Sequence, residues 1–303
     1  MELITGENDT DRRLDRILRK ALPDHPLALI HRLLRKKQIY VDGKPAKAQD
    51  RLKCGAVISI PSLKDSQPIP VKRRQLSFLD IIWETPDLLA VNKPVGVAVH
   101  GHDSLDTMVQ AYLSDKLPPS LSFKPGPLHR LDKPSSGIVV FSASLEGARL
   151  FTRLMREQKV KKTYLAIVEG SLKTEELWQD NLVRDREKKK TFLSNSPSAK
   201  TAITKVRPLA CNNGNTLIQA EIATGRTHQI RAQAAAHGYP LAGDVKYAGK
   251  KEQKAGFFLH AWKLEFLEYK IQAPLPKCFE LSAYYGSGNT PDLGRLDIFT
   301  AIL

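Results

Sequence analysis

The chain has 303 residues, with 47 Lys+Arg against 32 Asp+Glu, a net charge of +15 and a pI near 9.7. That length suits one large domain with a small companion, and the basic balance points to a polyanionic partner, nucleic acid first. An anionic membrane follows as a weaker reading, because no uncharged apolar run approaches the roughly 18 residues a span requires. The acidic start "MELITGENDTDRR" lacks the opening of a secretory or transit peptide, so a cytoplasmic protein is expected. Cys54, Cys211 and Cys278 stand far apart with no C-x-x-C pair, and "HGH" at 100–102 has no third ligand at helical spacing; neither a disulfide framework nor a metal site is expected.

Residues 1–75 hold 17 Lys+Arg and 9 Asp+Glu, so a net +8 of the total +15 sits in the first quarter of the chain. After a Thr10-Asp11 start signal, Leu14, Ile17, Leu18 and Leu22 recur at helical spacing until Pro23 stops the run. In a second helix Ile30, Leu33 and Leu34 face a core. Arg32, Arg35 and Lys36, at i, i+3 and i+4, form a basic ridge with Lys37 beside it. Taken alone, such a ridge is as consistent with a solvated helix face as with a binding surface. "QIYVDGKPAK" reads as a strand, an Asp42-Gly43 turn and a return, and "AVISI" as a closing strand. "PSLKDSQPIPVKRRQ" has three prolines and no apolar periodicity, as a tether between domains would. The predicted division is a module over 1–61, a linker over 62–76, a larger domain over 77–285 and a tail over 286–303.

The larger domain alternates short apolar strands with helices. "FLDIIWE", "DLLAVNKP", "GIVVFS", "KTYLAIVEG" and "TLIQAEI" are strands, and Leu145 to Gln158 is an amphipathic helix. The predicted class is α+β with a mixed, largely antiparallel sheet. No G-x-G-x-x-G after a strand, Walker loop or G-x-S-x-G elbow is present.

Three segments concentrate reactive side chains. In "HRLDKPSSGI", Pro134 restricts Lys133 to extended backbone and stiffens the loop around Asp132, whose neighbours Arg130 and Lys133 favour an ionised carboxylate. A surface ion pair reads the same way in isolation. In "KKTYLAIVEG", alternation puts Tyr164, Ala166 and Val168 on one face and Leu165 and Ile167 on the other, making Tyr164 either a core tyrosine or an acid–base group facing a cleft. In "TGRTHQIRAQAAAHG", Thr227 is the expected N-cap, and Arg231 lies one turn on, able to pair with a carboxylate from another loop.

These segments, with "VNKPVGVAVHG" before and "FFLHAWKLEF" after, resemble the RluA-type pseudouridine synthases, whose signature H-R-L-D-x-x-[ST]-S-G stands here as His129 to Gly137. Asp11 to Ile60 resembles the S4 RNA-binding module, and the combination looks most like the C-type branch that modifies large-subunit ribosomal RNA. The tail beyond Leu281 resembles nothing placed. The resemblance implies that uridine is converted to pseudouridine without cofactor or metal by a monomer. It assigns the catalytic carboxylate to Asp132, the tyrosine near the base to Tyr164 and the arginine paired with the carboxylate to Arg231, with Arg226 the competing placement. Arg130 would fill space vacated by a flipped nucleotide. His129 and Arg226 would contact RNA in the cleft, and Arg32, Arg35, Lys36 and Lys37 would meet RNA phosphates. The rivals are a noncatalytic RNA-binding relative, which should have lost one of the three catalytic residues, and an RNA-directed hydrolase using Asp132 and His129.

Overall fold

A computed structural model describes residues 1–62, 79–212, 214–248 and 256–276. Most of the proline-rich stretch, the C-terminal tail and Cys278 lie outside the described residues.

The N-terminal unit comprises β1 (Glu2–Ile4), α1 (Leu14–Ala21), α2 (Leu27–Arg35), β2 (Tyr40–Val41), β3 (Lys44–Pro45) and β4 (Val57–Ser59), with its strands in the order β1-β4-β2-β3. In its core Leu14, Ile17, Leu18, Ile30, Leu33, Leu34, Ile39 and Ile58 are buried together, with Leu121 of the larger unit packed against them. Asp42 and Gly43 both have positive φ, 50° and 76°, the conformation a two-residue hairpin needs between right-twisted strands. The expected helix start is corrected: α1 begins at Leu14, and Asp11 instead takes a left-handed conformation held by the Arg51 guanidinium and the Leu52 carbonyl.

This unit is seated on the larger one through the 3₁₀ turn at Glu7–Asp9. Asp9, 0% exposed, accepts hydrogen bonds from the Ser120 hydroxyl, both the amide and hydroxyl of Ser122, and the Leu121 and Gly6 amides. These bonds outweigh the burial that would otherwise raise its pKa, leaving it below its ordinary value. Asn8 Oδ1 accepts the Leu145 amide at 2.7 Å.

The larger unit contains β5 (Ile81–Glu84), β6 (Leu88–Lys93), α3 (Leu105–Leu113), β7 (Gly126–Pro127), β8 (Ser136–Ser142), α4 (Leu145–Arg156), β9 (Lys161–Glu169), β10 (Glu176–Asp185), β11 (Lys190–Leu193), β12 (Lys200–Asn212), β13 (Asn215–Ile222), α5 (Gln229–Ala236), β14 (Leu259–Phe266) and β15 (Tyr269–Gln272). Its sheet runs β11-β10-β12-β13-β9-β14-β8-β6-β5, with β15 beside β14 and β7 beside β8. Among the described residues only the β8–β14 pairing is parallel. The β8 side chains alternate between two cores, Val139 and Phe141 facing α3, Ile138 and Val140 facing Phe151 and Leu154 of α4. Tyr164, Ala166 and Val168 join the α3 side, together with Ile230 and Ala234 of α5, while Leu165 and Ile167 face the other way. Gly137, with φ 104°, lets β8 meet β14; a Cβ there would overlap the Ala261 carbonyl.

Candidate active site

The turn ahead of β8 carries Asp132. Its backbone carbonyl accepts the Ser135 amide at 3.0 Å, closing the Asp-Lys-Pro-Ser turn. The next carbonyl, of Lys133, accepts both the Gly96 amide at 2.9 Å and Nζ of Lys93 at 3.1 Å. Lys93 is fully buried and donates its remaining protons to the Pro94 and Val97 carbonyls. Burial lowers its pKa to about 8, against the opposing attraction of Asp132. It therefore anchors the loop, although the sequence offers only a Lys-Pro pair after a strand.

Arg231 enters from the first turn of α5. The expected Thr227 cap is corrected. Thr227 is exposed, His228 occupies the N-cap position with a left-handed φ of 55°, and no side chain caps that end. Gln229 secures the entrance instead, accepting the Arg226 amide at 3.0 Å and the Thr224 hydroxyl at 2.7 Å while donating to the Ile203 carbonyl.

All three nitrogens of the Arg231 guanidinium donate to carboxylates. Its Nε and Nη2 donate to Asp244 at 2.7 and 2.9 Å, and Nη1 donates to Asp132 Oδ2 at 2.7 Å. Its two neighbours in ring contact are Phe257, 4.1 Å from the ring centroid, and Tyr247, 4.9 Å. Burial opposes the charge, but the two carboxylates outweigh it and raise the pKa further. Of the two candidate arginines, Arg231 is the one hydrogen-bonded to Asp132. Arg226 lies at the rim, its Nε donating to the Thr201 carbonyl. Asp244 was not among the predicted residues, and nothing in its local sequence marks it as the second carboxylate.

Asp132 and Arg231 line an open cleft with Arg130, Leu131, Tyr164, Ile222, Arg226, His228 and Leu259. Tyr164 is 8% exposed, and burial together with the Asp132 charge pushes its pKa up, so its hydroxyl is neutral at physiological pH. Arg130 is exposed at the mouth. His129 is placed elsewhere: Nε2 accepts the Val140 amide at 3.1 Å and the ring stacks on Phe151, on the α4 side of the sheet. Burial lowers its pKa to about 4, so the ring is neutral. Neither an RNA contact nor a hydrolytic role beside Asp132 finds support in that position. Arg32, Arg35, Lys36 and Lys37 are all exposed on the N-terminal unit, apart from the cleft residues.

Residues 87–236, which include the Asp132 loop, Tyr164 and Arg231, match the RNA pseudouridylate synthase family. The ribosomal large subunit pseudouridine synthase C of Vibrio cholerae is 31% identical over 291 residues, covering 89% of this chain and 91% of its own. The chain belongs to the RNA pseudouridylate synthase family. It is therefore an isomerase of that family, in which uridine becomes pseudouridine. The Pasteurella multocida synthase C is also 31% identical, with 90% of each chain covered, and the Neisseria meningitidis serogroup B synthase D is 28% identical, covering 87% of this chain and 76% of its own. Among solved structures, human RNA pseudouridylate synthase domain containing 4 shares the fold with a TM-score of 0.58 at 21% identity, covering 68% of this chain and 92% of its own. Human RNA pseudouridylate synthase domain containing 1 does so at 0.56 and 23%, covering 70% and 89%. No helix among the described residues is long and apolar enough to cross a membrane.

Proposed function

We propose that this synthase isomerises uridines of large-subunit (23S) ribosomal RNA, with Asp132 as the catalytic carboxylate. The observation that carries this reading is the 2.7 Å pairing of Asp132 with Arg231 inside a cleft that also holds Tyr164. A carboxylate paired with a buried guanidinium is competent to bond to carbon or to take a proton, the two things required to break the glycosidic bond and rejoin it through carbon 5. The neutral Tyr164 hydroxyl donates or accepts a hydrogen bond near the base, and it helps remove the carbon 5 proton only by passing on its own. Arg130 at the mouth offsets the unstacking of a flipped nucleotide.

Relatives named as large-subunit synthases and the exposed ridge Arg32, Arg35, Lys36 and Lys37 support ribosomal RNA as the substrate. In this reading residues 1–61 are an S4-type RNA-binding unit, 77–285 the catalytic domain, and the protein works as a cytoplasmic monomer without cofactor. The decisive experiment maps pseudouridines across ribosomal and transfer RNA in cells lacking the protein, then in the same cells supplied with wild type or Asp132→Asn. Sites lost on deletion, restored by wild type and not by Asp132→Asn are expected in large-subunit RNA. Restoration by Asp132→Asn overturns the role of Asp132, and losses confined to transfer RNA overturn the substrate.

A further inference from the structure

One cleft side chain has no part in the reading above. His228, 11% exposed at its side chain, points Nε2 at Asp132 Oδ1 from 3.6 Å, while Arg231 holds the other oxygen. Its Nδ1 faces two donors. The Tyr247 hydroxyl lies at 2.9 Å and Nη1 of Arg184 at 3.4 Å. A guanidinium can only donate. The Tyr247 oxygen already accepts the Thr191 amide at 2.7 Å, which leaves its own proton free for His228. Nδ1 is thus an acceptor, and the ring proton must sit on Nε2, facing the carboxylate.

We propose that His228 is a positioning residue for Asp132, a neutral imidazole whose tautomer is set by Tyr247 and whose Nε2–H gives the carboxylate a second point of attachment. The inference rests on the role of Asp132 proposed above. With Arg231 alone, the carboxylate can turn about its bond to Cβ. With a donor at each oxygen its plane is fixed, and the oxygen nearest His228 is aimed while the RNA is bound. The 3.6 Å separation is longer than a hydrogen bond, and the proposal requires it to shorten when RNA is bound. The charged and titratable groups facing the ring are Asp132, Arg231, Arg184, Lys246 and Tyr247. Burial holds the imidazole neutral, with a pKa lowered to about 4 despite the attraction of Asp132.

Two measurements test this. The first is the nitrogen-15 spectrum of the histidine-labelled full chain, with His228 assigned by its absence in His228→Gln. A neutral ring protonated on Nε2 is expected from about pH 5.5 to about pH 8. A proton on Nδ1, or titration near the ordinary value, overturns the proposal. The second is the single-turnover release of tritium from an in vitro transcript of large-subunit ribosomal RNA labelled at carbon 5 of uridine, at saturating RNA. His228→Phe should lower the rate by about 10²-fold, the order produced by misplacing a reacting group by an ångström, with RNA affinity unchanged. His228→Gln, which keeps an N–H, should recover most of that rate. Tyr247→Phe should slow the wild type several-fold and have no further effect in His228→Phe, because it acts through the ring. Full rates in folded His228→Phe alongside an inactive Asp132→Asn overturn this inference alone. Activity in Asp132→Asn overturns the reading beneath it.

Discussion

Arg231 gives one edge of its guanidinium to Asp244 and the remaining Nη1 to Asp132, 99 residues away in sequence, so a single side chain both ties α5 to the loop after it and holds the carboxylate in the cleft. Replacing it with Met takes from two carboxylates the guanidinium they share, and one of them is only 2% exposed. Arg231→Met should destabilise the protein by about 3–5 kcal/mol, the range for removing one partner of a buried pair, and abolish turnover. The double variant Arg231→Met, Asp244→Leu should recover much of the stability and none of the activity. Chemical denaturation with parallel tritium-release assays checks both.

Tyr164→Phe removes only a hydroxyl from a strand whose ring position is fixed by its neighbours. Its stability should stay within about 1 kcal/mol of wild type, while turnover at saturating RNA falls by at least about 10²-fold, the scale of a lost acid–base group. Full activity would make Tyr164 a core residue that happens to border the cleft.

Lys93 should leave a signature in alkaline stability. Its folded pKa is about 8 against an ordinary 10.5, so between those values the unfolded chain holds the extra proton. Stability therefore rises with pH across that window, by at most about 3 kcal/mol for a shift of this size. Lys93→Met should lack that rise in a difference plot of unfolding free energy against wild type. It should also slow turnover, since Lys133 loses a donor that fixes the Asp132 loop.

The basic ridge is tested by salt. Arg32→Gln, Arg35→Gln and Lys36→Gln together should weaken binding to ribosomal RNA fragments and reduce the slope of log K against log salt by about 2–3, close to one counterion per lost phosphate contact. Turnover at saturating RNA should be unchanged. An unaltered slope would make the ridge a solvated helix face.

Much of this was legible from local pattern. Strict alternation around Tyr164 grouped it with Ala166 and Val168, the face of β9 that joins the α3 core, and Asp42-Gly43 announced a hairpin because few residues accept two left-handed positions in succession. Gly137 belonged to the signature but acquires its reason only when β14 is brought against it. Local pattern failed where a distant partner decides the outcome. Thr227 is a good cap by type, yet Gln229 wins because β12 supplies it with partners. Asp11 has a cap residue's chemistry but is captured by Arg51. Asp244, Lys93 and His228 matter through groups that topology alone brings near them. Much of the long antiparallel extension β10–β11–β12 was missed, its alternation diluted by exposed polar positions on both faces.

The seat of Asp9 on Ser120, Leu121 and Ser122 changes what the segment joining the two units can do. Were the units joined only by chain, the length of that segment would set how often the ridge and the cleft engage one RNA together, falling as the loop grows. With the seat closed, their spacing works as a fixed caliper. Inserting a Gly-Ser stretch between residues 62 and 79 should leave RNA affinity as it is, whereas Asp9→Ala, which opens the seat, should make affinity fall with every lengthening of the insert.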